Sequence, residues 1–427
     1  MNDQPEEHPL RRQVVAEMHM RRFPALAPPA RLVQIVRIVA VADRDADRAA
    51  ALAMPDGVMV ASASGGRHVS GETADGVHLF WESHTEASTA TVILPGTVPV
   101  GFGMMPGQDR YERWLAGFPG QIIRSISLAV VPTVADAAAL AQSADFSDDD
   151  LVSCDLLGGV RMWSDFRIHE DGRGRLIVSA GSLNPSDLGR LVQRLQELGN
   201  YRNLALLGLP IAQAHMPRLA SLEAQLAEQA ERIGDGRSAD EDVLDVLSAL
   251  SAELAKMAVG TNFRMDATEA YSRIALGRLE ALGVRPVPGH QALTDFTERR
   301  LVPAVQTCGN FRHRVERASQ LAGWITALLR ARIETRIERQ NSDLLSSMNR
   351  SADHQLQLQH LVEGLSVVAV SYYAIGIVAY MAKAVEKLAP SVSEELVVGV
   401  LALPIVLGVF LMLRLRMKSV AQHERSH

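Results

Sequence analysis

Two segments carry side chains with the types and spacing for acid–base or metal chemistry. WESHTE sets Glu82, His84 and Glu86 at alternate positions, and WSDFRIH does the same with Asp165, Arg167 and His169. Alternate residues of a strand share a face, so each trio presents its polar groups together. Imidazole and carboxylate are ligand types that hold a divalent cation or a small charged ligand. With the two strands as neighbours, Glu82, His84, Glu86, Asp165 and His169 form one cation site. Any half-exposed strand also alternates polar with apolar, so a solvated or ion-paired face is the competing reading. A third segment, from His8 and Arg11 to Glu17, His19 and Arg21, has the spacing of an ion-paired helix face. The sequence contains no nucleophile-elbow, phosphate-loop, dinucleotide-binding or zinc-protease pattern. It therefore supports no enzymatic class, no catalytic residue and no cofactor beyond a divalent cation.

The elements that must position these residues are strands in the N-terminal half. Strand patterns occur at Arg31 to Val41, Val77 to His84, Ser88 to Leu94, Gln121 to Val131, Val160 to His169 and Arg175 to Ala180, with Asp171-Gly172 as a hairpin turn. Asn184-Pro185-Ser186-Asp187 supplies a cap, a first-turn proline and an N3 acid, predicting a helix from there toward Leu209. Residues 1–210 thus read as an α+β cytoplasmic domain, and 211–363 as a helical, coiled-coil stalk. The stalk has a capping box at Ser238 to Glu241, and Val243, Leu247, Leu250, Leu254 and Met257 fall on one side. A second apolar stripe, Leu321, Ile325, Leu329, Ile333, Ile337, Leu344 and Met348, lies on a helix predicted from about 304 to 382. It needs a partner, which is either the earlier stripe or the same helix of a sister subunit.

The C-terminal region, 364–413, reads as a transmembrane hairpin. Gly364 to Ala382 and Leu396 to Leu413 are free of charge, and each reaches roughly 27 to 29 Å as a helix, close to the hydrocarbon thickness of a bilayer. Tyr372 and Tyr373 sit mid-span, where they face a neighbouring helix. Gly376, Gly399 and Gly408 offer close approach, and Pro404 is a tolerated kink. The tail 414–427 is basic, whereas the loop KAVEKLAPSVSEE holds Lys383 and Lys387 against three glutamates. Positive residues stay inside, so both termini are expected in the cytoplasm of a multi-pass protein of the bacterial inner membrane. The opening MNDQPEEHPLRRQ lacks the apolar core of a secretory signal. Cys154 and Cys308 stand apart with no metal or redox spacing, as reduced thiols do. A net charge of −6 argues against nucleic acid as a partner; the bilayer and further copies of the chain are the partners expected.

HPLRR with Glu17 and His19, WESHTE, WSDFRIHEDG, LVQRLQELGNYRNLALLGLP, and ERQNSDLLSSMNR leading into VEGLSVVAVSYYAIG resemble a bacterial family of membrane-anchored proteins defined by a domain of unknown function. That resemblance runs nearly the full length and implies a membrane anchor. The order of elements also resembles the CorA-type magnesium channels, implying an oligomer engaged in ion transport or its regulation. The Gly-Met-Asn signature that follows the first span in those channels is missing. AYMAKAVEK stands there, and Lys383 repels cations at a pore mouth. The alternative is a membrane-tethered cytoplasmic scaffold or sensor that conducts nothing, favoured by the absence of charge within the spans.

Overall fold

The segment ARLVQIVRI, with apolar residues at alternate positions and several β-branched ones, forms the central strand β1 (Ala30–Ile38). Its antiparallel neighbours are β5 (Ala87–Pro95) and β6 (Gln121–Val131). The other strands are β2 (Val58–Ser64), β3 (His68–Thr73), β4 (His78–Ser83), β7 (Val152–Asp155), β8 (Arg161–Ser164), β9 (Gly174–Ser179) and β10 (Arg285–Pro286). This computed structural model describes residues 7–12, 14–15, 23–64, 67–235, 240–386 and 394–423. In it the sheet runs β10-β7-β8-β9-β6-β1-β5-β4-β3-β2. β6 and β9 pair in parallel, and the other strand neighbours are antiparallel. The sheet is therefore mixed. Glu17, His19, Arg21, Ser238 and Lys387 lie outside the described residues.

Both faces of the central strands are covered. Ala30 and Leu32 of β1 pack with Leu128, Leu176 and Val178 under helix α4 (Pro185–Leu206), which buries Leu188, Val192 and Leu195. Val33 and Ile35 face the other way, with Leu79, Trp81 and Val92 under α1 (Arg44–Leu52) and α2 (Asp109–Ala116). On that same side α3 (Val134–Gln142) covers Ala129 and Ile177. A slip of one residue would exchange the two faces, so burial on both sides pins the register. α4 begins as the sequence predicts: the Asn184 side chain accepts from Asp187 N at 2.9 Å, and Pro185 opens the first turn. Cys154 and Cys308 are free and buried, and burial pushes the Cys154 thiol up to about 11.

Three long helices follow α4: α5 (Gly208–Asp235), α6 (Asp240–Glu280) and α7 (Leu293–Glu386), with α8 (Glu394–His423) last. The chain divides into two compact units after Thr326. α5, α6 and the start of α7 belong with the sheet. There the predicted α6 stripe, Val243 to Met257, is buried, and Arg314 pairs with Glu223 at 2.6 Å while Arg312 pairs with Asp266 at 2.8 Å. α7 begins earlier than predicted and carries Pro303 inside it.

The second unit, Ala327–His427, is helical in its described residues. An 18-residue window in Leu293–Ala384 has a mean hydropathy of 1.8 and is 11% buried, so this helix is long and apolar enough to cross a membrane. The second expected span, Leu396 to Leu413, appears as the shorter apolar stretch Val398–Met412. Among the described residues, one candidate span is found instead of two. Leu344 and Met348 are exposed, and Tyr372 and Tyr373 are exposed with their rings edge to face at 5.9 Å. A Cβ added at Gly376, Gly399 or Gly408 would meet nothing within 4 Å. Pro404 lies inside α8.

Asp47 of α1 is buried beneath β4 and β5, accepting from Trp81 Nε1 at 3.1 Å and Ser88 Oγ at 3.0 Å. Burial raises its pKa, against the two hydrogen bonds and the Arg37 charge, which lower it. The folded state therefore holds this proton more tightly than the unfolded chain does. Its contribution is most favourable below the unfolded value of about 4 and declines as pH rises through the folded value. Asp47→Asn is expected to remove that decline. Thermal unfolding of the variant should gain on the native chain between about pH 4 and pH 7, and a difference that does not change with pH would contradict it.

Candidate functional site

α4 turns a polar strip toward the sheet: Gln193, Gln196, Glu197, Asn200 and Tyr201 line a pocket with Gln34 of β1, Glu82 of β4, Thr89 of β5, His68 of β3 and His84. Residues three, four and seven apart share a helix face, so the run QRLQELGNY supplies the strip. The cavity of about 40 Å³ has room for roughly three waters or one small polar group. Three of the lining side chains are tied together by Arg124, whose Nη1 donates to Gln34 Oε1 at 3.0 Å, Gln196 Oε1 at 2.7 Å and Asn200 Oδ1 at 2.8 Å. Gly199 makes room for that guanidinium, since a Cβ there would lie 2.7 Å from Arg124 Nη2.

Two carboxylates, Glu82 and Glu197, and two imidazoles, His68 and His84, face the pocket. His68 Nδ1 lies 3.7 Å from Glu82 Oε1, and Arg278 Nε lies 2.6 Å from Glu197 Oε2. Burial raises the Glu197 pKa, opposed by Arg278 and reinforced by Glu82. The His84 ring meets Tyr201 edge to face at 6.4 Å. Such a lining can hold a proton on Glu197 above the usual carboxylate range, and its amides can fix a small polar ligand by hydrogen bonds.

The five residues expected to share one cation do not meet. β4 and β8 are separated by β5, β1, β6 and β9, so Glu82 and His84 stand apart from Asp165 and His169. Glu86, in the turn before β5, is held by Arg264 through Nη1–Oε1 at 2.9 Å and a second bond from Nη2. β8 stops at Ser164, and Asp165 is a turn residue: it accepts from Arg167 N at 3.1 Å and Ser147 N at 3.2 Å, with His169 Nε2 at 3.2 Å. Arg167 pairs with Asp150. Among the described residues no group of three or more His, Cys, Asp or Glu side chains is placed to hold a metal ion. Only Glu82 and His84 of the expected set reach the pocket. His68, Arg124 and the α4 strip were missed, although the polar residues of LVQRLQELGNY at helical spacing were a readable signal.

A family described as a protein of unknown function (DUF3422) matches residues 6–420. No curated protein and no solved structure matches the chain.

Proposed function

Because the chain belongs to the DUF3422 family, whose description assigns no activity, we propose a function from its own physics: a membrane-tethered sensor whose sheet domain binds a small polar ligand. The observation that carries it is the apolar window of α7, of mean hydropathy 1.8 and 11% buried. An apolar helix left this bare in water is covered by lipid or by other helices. The α7 segment crosses the bacterial inner membrane, and the apolar stretch of α8 returns with its basic end on the cytoplasmic side. Within that anchor, Gly376, Gly399 and Gly408 are contact points for further copies of the chain.

Topology tests this directly. In spheroplasts, a membrane-impermeant maleimide is expected to label Lys383→Cys before lysis and Ser346→Cys only after it, with the chain resisting carbonate extraction. Release by carbonate, or labelling of both sites only after lysis, retires the membrane reading. Ion transport along CorA lines is the second reading, favoured by the exposed Leu344 and Met348 on α7, which need partner helices. It requires a symmetric oligomer with a central pore, and a monomer or dimer without one in nanodiscs rejects it.

A further inference from the structure

Arg124, which donates to three residues of the first pocket, lines a second cavity, of about 150 Å³, which lies against the loop that follows β8. Phe166, Arg167 and Ile168 of that loop form one wall, Ile126 and Arg124 of β6 another, and Arg202 of α4 a third. Phe166 has φ +54°, a left-handed conformation that ends the strand and turns this part of the conspicuous WSDFRIHEDG segment into lining.

Arg124 and Arg202 are 9% and 8% exposed, and neither has a carboxylate partner among the described residues. The Arg202 guanidinium lies on the Phe166 ring at 4.4 Å and the Phe296 ring at 5.3 Å, and its Nη1 is buried with no hydrogen-bond partner among the described residues. Burial and a neighbouring like charge, Arg202 for Arg124 and Arg300 for Arg202, push the two pKa values down to about 9 and about 10. Both guanidinium groups remain charged at neutral pH. Two buried like charges without a counter-ion are unfavourable, whereas a pair of guanidinium forks beside the apolar side chains of Ile126, Phe166 and Ile168 matches an oxyanion attached to a small apolar body. Arg167, by contrast, is already paired with Asp150.

We infer that this cavity binds a small organic anion, its carboxylate or phosphate accepting from Arg202 and Arg124 and its apolar part against Ile126, Phe166 and Ile168. A volume of about 150 Å³ accepts a body the size of benzene. The inference rests on the sensor reading and names its ligand class. Binding is measured in detergent, so its failure is separate from a failure of membrane insertion.

The test is calorimetric titration and thermal unfolding of the full-length protein at matched ionic strength, with benzoate, phenyl phosphate and inorganic phosphate as probes and chloride as the control. Saturable stabilisation by benzoate assigns a carboxylate, and by phenyl phosphate a phosphate ester. Stabilisation by inorganic phosphate alone shows that the apolar wall takes no part and overturns the assignment of an organic ligand. Arg202→Met is expected to weaken binding at least about tenfold while leaving the ligand-free unfolding midpoint unchanged or higher. Arg202→Lys keeps the charge without the fork and should bind several-fold more weakly. Arg218→Met, which removes a guanidinium paired with Glu253 away from this cavity, should bind normally. No response of the native chain to any probe, or full binding by both Arg202 variants, overturns the proposal.

Discussion

Glu86→Ala is expected to cost about 3–5 kcal/mol of stability, the range for breaking a buried ion pair from one side. Glu86 sits in the turn between β4 and β5, and its side chain is 10% exposed; that of Arg264 on α6 is 16% exposed. Both carboxylate oxygens are engaged by Arg264, and the Glu86 carbonyl accepts from Val39 N at 2.9 Å. The pair is thus the clasp between α6 and the end of the sheet, with Tyr271 beside it, its hydroxyl pKa raised by burial and by Glu86. Removing the carboxylate strands a guanidinium with little access to water. Glu86→Leu with Arg264→Met, which removes both charges and keeps apolar volume, should recover most of the loss. Thermal unfolding of the single and double variants in detergent checks this. A loss below about 1 kcal/mol for Glu86→Ala would mean that the pair is solvated like an ordinary surface bridge.

That clasp also shows why the expected cation site failed. Spacing within WESHTE places side chains along one strand, but the partners of those side chains come from elements far away in sequence, here α6. The distance between β4 and β8 across the sheet is likewise set by strand order, which no local pattern encodes. Elements with a strong local signal were readable: β6 coincides with the predicted Gln121–Val131, and the Asn184 cap starts α4 where expected. β2, β3 and β7, with sequences VMVASAS, HVSGET and VSCD, escaped because small and polar residues at the sheet margins lack the apolar alternation of a half-buried strand. The predicted β8 runs five residues past its observed end at Ser164. Ser164 Oγ and Asp165 Oδ1 accept from the backbone N–H groups of Phe166 and Arg167, a local alternative that competes with the ladder.

Gly181→Ala is expected to be damaging on a different ground, and Gly172→Ala separates the two causes. Both glycines have positive φ, +59° and +74°, so an alanine at either place carries the left-handed penalty of about 1–2 kcal/mol. Around Gly172 a Cβ meets nothing within 4 Å, and the cost should stop there. At Gly181 a Cβ would lie 2.5 Å from Gly158 O, 2.8 Å from Gly159 C and 2.8 Å from Val160 N, all of them backbone atoms. Ser182 also donates to Gly158 O from its N at 2.9 Å and its Oγ at 3.0 Å, so the crowded segment is tied in place. Overpacking adds about 1–3 kcal/mol to the dihedral cost, giving about 2–5 kcal/mol in all. The damage extends to the pocket, because Gly181 links β9 to the start of α4. A displaced α4 takes Gln196 and Asn200 away from Arg124, leaving that buried guanidinium with fewer acceptors. Denaturant unfolding of the two variants side by side reads the difference. Equal losses would show that the segment at Gly158 to Val160 yields to a methyl group and does not fix the position of α4.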